Sequence, residues 1–214
     1  MLSSQIDHIT VTAASLEEGA QYVIDALGIA PQPGGEHPRM GTHNLLMRLG
    51  ESTYLEVIAP NPDAPAPDRP RWFALDDAES VARPRLATWV ARTDDIHTAS
   101  VAAPEPLGKI EPMSRASLNW LISIPEDGAL VLGGAAPALI EWQVAAHPAS
   151  GMADLGCTLE RLELFHPDAE RVTRLLRGLG MEGRVHASAL PAGSVPFLLA
   201  HVRTPRGLCS IGGT

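Results

Sequence analysis

Apolar residues recur along this chain in two rhythms, and the alternation between them repeats three times. A strand-like segment, Ile6-Asp7-His8-Ile9-Thr10-Val11, gives way to Leu16, Ala20, Val23, Ile24 and Leu27 at helical spacing. Ser15 and Glu18 stand at capping-box separation ahead of that stripe, and Gly28 is placed to stop it. Extended segments follow near Ile29 to Gly35, Thr42 to Leu49 and Thr53 to Ala59, the last two separated by a hairpin turn at Gly50-Glu51-Ser52. The second copy opens at Leu86-Ala87-Thr88-Trp89-Val90-Ala91. It has a weaker helix after Asp94-Asp95, then extended segments at Leu107 to Met113, Leu118 to Ile124 and Ala138 to Val144. The third opens at Leu159 to Leu164. Its helix starts at Pro167 and Asp168 and carries Val172, Leu175, Leu176 and Leu179, and segments follow at Arg184 to Ala187, Phe197 to Arg203 and Leu208 to Ile211. Helices one and three run out in Leu27-Gly28-Ile29 and Leu179-Gly180-Met181. Such an echo at a spacing of about 70 residues predicts three strand-helix-strand-strand-strand units.

Composition agrees with a packed domain: 45% of the 214 residues are hydrophobic and 19% charged. The prolines fall mostly between units. Five lie from Pro60 to Pro70, a stretch that excludes a central strand or helix interior, and Trp72, Phe73 and Leu75 then pin the crossing to the core. A second linker runs from about His147 to Gly156. The net charge of -9, with lysine only at Lys109, argues against a nucleic-acid partner. No signal peptide precedes the first strand and no apolar run is long enough for a bilayer, so a cytoplasmic protein without membrane partners is expected. Cys157 and Cys209 lack metal-type spacing and are expected to be buried thiols.

Four motifs bear a resemblance. Ile6-Asp7-His8-Ile9, His37-Pro38 with Met40-Gly41-Thr42-His43-Asn44, Tyr54-Leu55-Glu56-Val57-Ile58-Ala59-Pro60 and Pro112-Met113-Ser114-Arg115 resemble the vicinal oxygen chelate superfamily, and within it the glyoxalase-like domain proteins. The resemblance implies an α+β fold of repeated βαβββ modules. Residues 1–145 would form two modules curled into a cup, and residues 146–214 a third module that covers the open edge of the pair or pairs across a homodimer. Metal-dependent members take ligands from the first and last strand of each paired module, which by position are His8, Glu56, Thr88 and Glu141. Thr88 departs from that pattern, where a histidine is common, and His43 or water would complete the shell.

The residues themselves suit such a site. Ile6, His8, Thr10 and Thr12 share one strand face, and Leu139, Glu141 and Gln143 share another. One imidazole and two carboxylates suit a divalent ion such as Zn, Ni, Mn or Fe. The expected metal ligands are therefore His8, Glu56 and Glu141, with Glu56 and Glu141 doubling as catalytic bases. His43, Arg115 and Trp120 are the candidate substrate contacts, Arg115 through a bidentate grip on an anionic group. His37, His147 and His166 each precede proline and read as loop geometry. Metal-assisted lyase, isomerase or dioxygenase chemistry on a small oxygenated metabolite is expected. The alternative is a non-catalytic protein that sequesters a small molecule.

Overall fold

The computed structural model describes residues 3–181 and 185–213. The predicted start of the segment at Arg184 lies outside the described residues. The first unit comprises β1 (Gln5–Thr12), α1 (Leu16–Leu27), β2 (Gln32–His37), β3 (Thr42–Arg48) and β4 (Tyr54–Pro60). A short helix, α2 (Ala78–Val81), follows the proline-rich crossing. The second unit comprises β5 (Arg85–Arg92), α3 (Ile96–Ala102), β6 (Lys109–Arg115), β7 (Leu118–Ile124) and β8 (Ala138–Trp142). The third comprises β9 (Thr158–His166), α4 (Ala169–Gly178), β10 (Val185–Ala189), β11 (Phe197–Thr204) and β12 (Gly207–Gly212).

The helices begin where side chains relieve the free N–H groups of a first turn. The Ser15 side chain accepts from Glu18 N, Asp95 from Thr98 N and Asp168 from Arg171 N. Gly28 closes α1 at φ 73°, a conformation that costs a residue without a Cβ little.

Units one and two share one eight-stranded sheet in the order β2-β3-β4-β1-β5-β8-β7-β6. In each half the first strand pairs in parallel with the fourth, and antiparallel β1 and β5 join the halves at the centre. The mixed α+β architecture and curled sheet are those expected. One face of the sheet packs Ile9, Val11, Leu55, Val57, Trp89 and Leu139 against the helices. The other is the inside of the cup, with Ile58, Val90, Met113, Trp120, Ile122 and Ile140 beneath Trp72 and Phe73 of the crossing.

The third unit keeps the expected element order but strings its strands differently, as β10-β9-β11-β12 with β9 parallel to its immediate neighbour β10. It covers neither open edge of the cup. Leu162, Leu164, Leu175 and Val202 join the helix-side core. Ser4 N donates to Leu179 O, Leu159 N to Leu49 O and Gly212 N to the Tyr22 hydroxyl. The unit therefore backs the convex side of the sheet, because its apolar face matches the stripe the helices leave bare there. Both cysteines are free; Cys157 is buried, as expected, and Cys209 is partly exposed.

Candidate active site in the cup

The polar floor of the cup is built around a fault in the β1–β5 ladder. Ile6 pairs with Ala91 and His8 with Val90, so Asp7 has no opposite residue. Such a bulge re-aims the side chain it carries. Alternation alone places Asp7 on the face opposite His8, yet Asp7 Oδ1 accepts from His8 Nδ1 at 2.7 Å. Asp7 Oδ2 accepts from Trp142 Nε1 at 2.8 Å and lies 2.9 Å from His147 Nε2. Arg92 stands 3.7 Å away. The Asp7 side chain is completely buried. Burial alone would raise its pKa, but hydrogen bonds from His147 and His8, together with their charges, win and hold the carboxyl well below the usual range. Asp7 therefore acts as a fixed anion that sets the orientation of His8.

With Nδ1 of His8 occupied, Nε2 faces the pocket, where Glu56 Oε2 lies 3.6 Å away. That separation is just beyond a hydrogen bond, so both groups keep a lone pair or proton for a third party. Glu56 Oε1 accepts from Asn44 Nδ2 at 2.6 Å. Tyr54 stacks on the His8 ring with centroids 4.5 Å apart, and burial followed by the charges of Asp7 and Glu56 pushes its phenol pKa well up. Arg115 enters from the second half, donating to Asn44 Oδ1 at 3.1 Å and reaching His37 Nε2 at 3.5 Å. Among the described residues no carboxylate lies within ion-pair distance of Arg115. His37 is buried and rests its Nδ1 on Thr42 Oγ1 at 3.1 Å. Desolvation lowers its pKa to about 4, against the opposing pull of Glu56, so His37 is neutral at pH 7.

These side chains, with Trp72, Phe73, Trp120, Ile122, Ile140 and Trp142, line a pocket of about 380 Å³ including its mouth.

The structure thus brings together four of the expected site residues, His8, Glu56, Arg115 and Trp120. Glu141 does not join them. It shares a face with Leu139 as expected, but that face looks toward the helices, and its carboxylate accepts from Ile96 N at the start of α3 and from Gln143 Nε2. Ala138, Ile140 and Trp142 are the β8 residues that face the cup. His43 is likewise on the far side of β3 from Asn44 and does not line the pocket. His37 and His147, read from their prolines as loop geometry, prove to be parts of the site network. Asp7, Asn44 and Tyr54 sat inside the motif segments, but nothing local in the sequence distinguished them from their neighbours.

A resident divalent ion does not fit this donor set. Among the described residues no group of three or more His, Cys, Asp or Glu side chains is arranged to hold one. His8 and Glu56 supply two donors, whereas catalytic sites for borderline ions ordinarily use three protein ligands. Thr88 lines a neighbouring chamber and Glu141 points away. The Arg115 guanidinium shares the pocket.

Residues 6–180 match the family model described as the glyoxalase-like domain. The chain belongs to that family, within the vicinal oxygen chelate superfamily. A hypothetical protein from Staphylococcus aureus is similar in structure, with TM-score 0.58 and 13% identity over 82% of this chain and 74% of that one. A methylmalonyl-CoA epimerase of Streptomyces coelicolor, in complex with 2-nitronate-propionyl-CoA, gives TM-score 0.44 and 15% identity over 69% of this chain and 100% of that one. The epimerase of Mycobacterium tuberculosis gives TM-score 0.40 and 14% identity over 64% and 85%. No curated protein matches the chain. No helix among the described residues is long and apolar enough to cross a membrane.

Proposed function

We propose that this protein is an enzyme that moves a proton on a small oxygenated carboxylate, as an isomerase or lyase. The observation that carries this reading is the buried Asp7–His8–Glu56 array facing an arginine, Arg115, that has no carboxylate partner among the described residues. A pocket that holds a guanidinium without an internal counter-ion is suited to an anionic ligand. The substrate's carboxylate or enolising oxygen would sit on Arg115, which placement lowers the cost of negative charge developing in the transition state.

Glu56 and His8 then have separate roles. Asn44 fixes one oxygen of Glu56, and the other is free to take a proton from the carbon beside the carbonyl. His8, held by Asp7 through Nδ1, donates from Nε2 to carbon or oxygen when it enters the cycle as imidazolium, and the proton that Glu56 has taken then passes to His8 and restores both groups. Two acid–base groups 3.6 Å apart can both reach one reacting atom seated against the pair. Return of the proton to a different position isomerises the substrate; departure of a group from the neighbouring carbon completes an elimination. No step in this scheme passes through a metal.

The test is deuterium wash-in at the α-carbon of a panel of small 2-oxo and 3-oxo acids in D2O, followed by NMR. Accelerated exchange that falls by about 10²- to 10⁴-fold in Glu56→Gln and in His8→Gln supports the proposal. Tight binding of these acids with no exchange above background would replace it with the sequestering protein. That second reading draws on one observation: β5 and β8 bring no titratable group into the pocket.

A further inference from the structure

Beside the polar pocket lies a second, narrow apolar recess, about 370 Å³ when counted with its open mouth, that the chemistry above does not use. Trp72, Phe73 and Ile122 line both spaces, so the two adjoin across a wall made of those three side chains. Beyond them the chamber is almost wholly apolar, with Leu107, Ile124, Leu130, Val131 and Ala138 among its walls. Its polar side chains are Thr88 and Ser123, and the Ser123 hydroxyl is already engaged by Leu139 N at 2.8 Å.

The roof over both spaces is held against local preference. Phe73 and Ala74 are consecutive non-glycine residues at φ 58° and 56°. Such residues persist only where their surroundings impose them. The imposing contacts are Ala74 N donating to Gly128 O at 2.8 Å, and a backbone approach so close that a Cβ on Gly128 would lie 2.0 Å from Arg71 O. At the partition, the indole N–H of Trp72 is buried and has no acceptor among the described residues. A buried donor without a partner in a pocket wall is a place where a ligand oxygen or water belongs.

We propose that the substrate is an amphiphilic acid. Its carboxylate lies on Arg115, its reacting carbon lies by His8 and Glu56, an oxygen accepts from Trp72 Nε1, and an aliphatic or aromatic substituent passes the Trp72–Phe73 partition into the apolar chamber. This deepens the reading of the cup as a carboxylate site and rests on it. The chamber excludes a charged or heavily hydroxylated substituent, because nothing on its walls would repay the lost hydration.

The test is affinity, read by quenching of tryptophan fluorescence, across straight-chain 2-oxo acids of about three to eight carbons. Affinity should rise about fourfold per added methylene, the gain expected for burying each one. Ala138→Leu, which fills the chamber, should flatten that series while leaving the shortest acid within about twofold. Should that variant fold poorly, Leu130→Ala enlarges the same space and should lengthen the chain at which affinity stops rising. Arg115→Gln should weaken every acid by one common factor. A flat series in the wild type, with binding of the shortest acid still dependent on Arg115, overturns the chamber proposal and leaves the carboxylate site standing. Equal gains for uncharged aliphatic alcohols, with no effect of Arg115→Gln, overturn the amphiphilic acid from the other side, because the carboxylate site itself would then be wrong.

Discussion

Two regions of this molecule contain a histidine tied to a carboxylate by a short hydrogen bond, and they differ in almost everything else. In the cup, His8 Nδ1 meets Asp7 Oδ1 at 2.7 Å. On the outer face of the third unit, His201 Nε2 meets Glu163 Oε2 at 2.6 Å, and Ser210 Oγ lies 3.0 Å from His201 Nδ1. The second cluster has the composition of a nucleophile, a base and an orienting acid. It lies on an open sheet, with Arg161 3.2 Å from both His201 and Glu163 and with Ser210 exposed to solvent. The first lies under a roof of Trp72 and Phe73, with side-chain exposure of 6% for His8 and none for Asp7. The lesson is that enclosure decides what such a pair is worth: in water and beside a competing cation the interaction is screened, whereas in the cup there is little solvent to share it.

The largest difference expected between the two regions is chemical. Glu56→Gln should lower proton exchange by about 10²- to 10⁴-fold, whereas His201→Gln should leave it within about twofold. Loss of exchange in the His201 variant would move the active centre to the third unit.

Stability separates the two regions next. Asp7→Ala strands His8, His147 and the Trp142 indole in the interior and should cost about 3–5 kcal/mol in urea unfolding. Glu163→Ala removes a partly exposed partner on an open sheet and should cost no more than about 1 kcal/mol.

The pH dependence sharpens the contrast. His37 titrates near 4 in the folded chain and near 6.5 when unfolded. Between those values the unfolded chain binds a proton that the folded chain refuses. Stability should therefore be full above pH 6.5 and decline as the pH falls toward 4, by about 3 kcal/mol over the whole window. Urea midpoints measured from pH 7 to pH 4 should show the decline in wild type and a shallower one in His37→Asn. Loss of the depressed Asp7 carboxylate belongs below that window, beginning as the pH falls below the unfolded value of 3.8.

The smallest effect in the cup is His147→Ala. It removes one hydrogen bond to a charged partner and should cost about 1.5–3 kcal/mol, with the exchange rate falling less than in His8→Gln. A neutral result would return His147 to the loop-geometry role its proline suggests.

Much of this was written locally in the chain. Ser15 with Glu18, Asp168 and Gly28 fixed where helices start and stop, because capping acts within one turn. In β4, Glu56 and Ile58 face the cup while Leu55 and Val57 face the helices, the alternation that a strand period of two imposes. The same alternation grouped Leu139 with Glu141 correctly and could not say which way the group faced. A strand repeats every two residues, so a choice made at one position inverts every other. That choice is made by the parallel pairing of β5 with β8, which sends Ile140 into the cup and Glu141 to the start of α3.

The element order, the threefold pattern and the helix ends follow from local periods and caps in the sequence. The tertiary structure alone decided the rest. A bulge opposite Ala91 and Val90 turned Asp7 toward His8 and His147, although they lie one and 140 residues away. The third unit settled on the convex face, with its own strand order, because buried apolar area there outweighed the symmetry of the repeat. Both outcomes depend on contacts between segments far apart in the chain, whose energies no local period records.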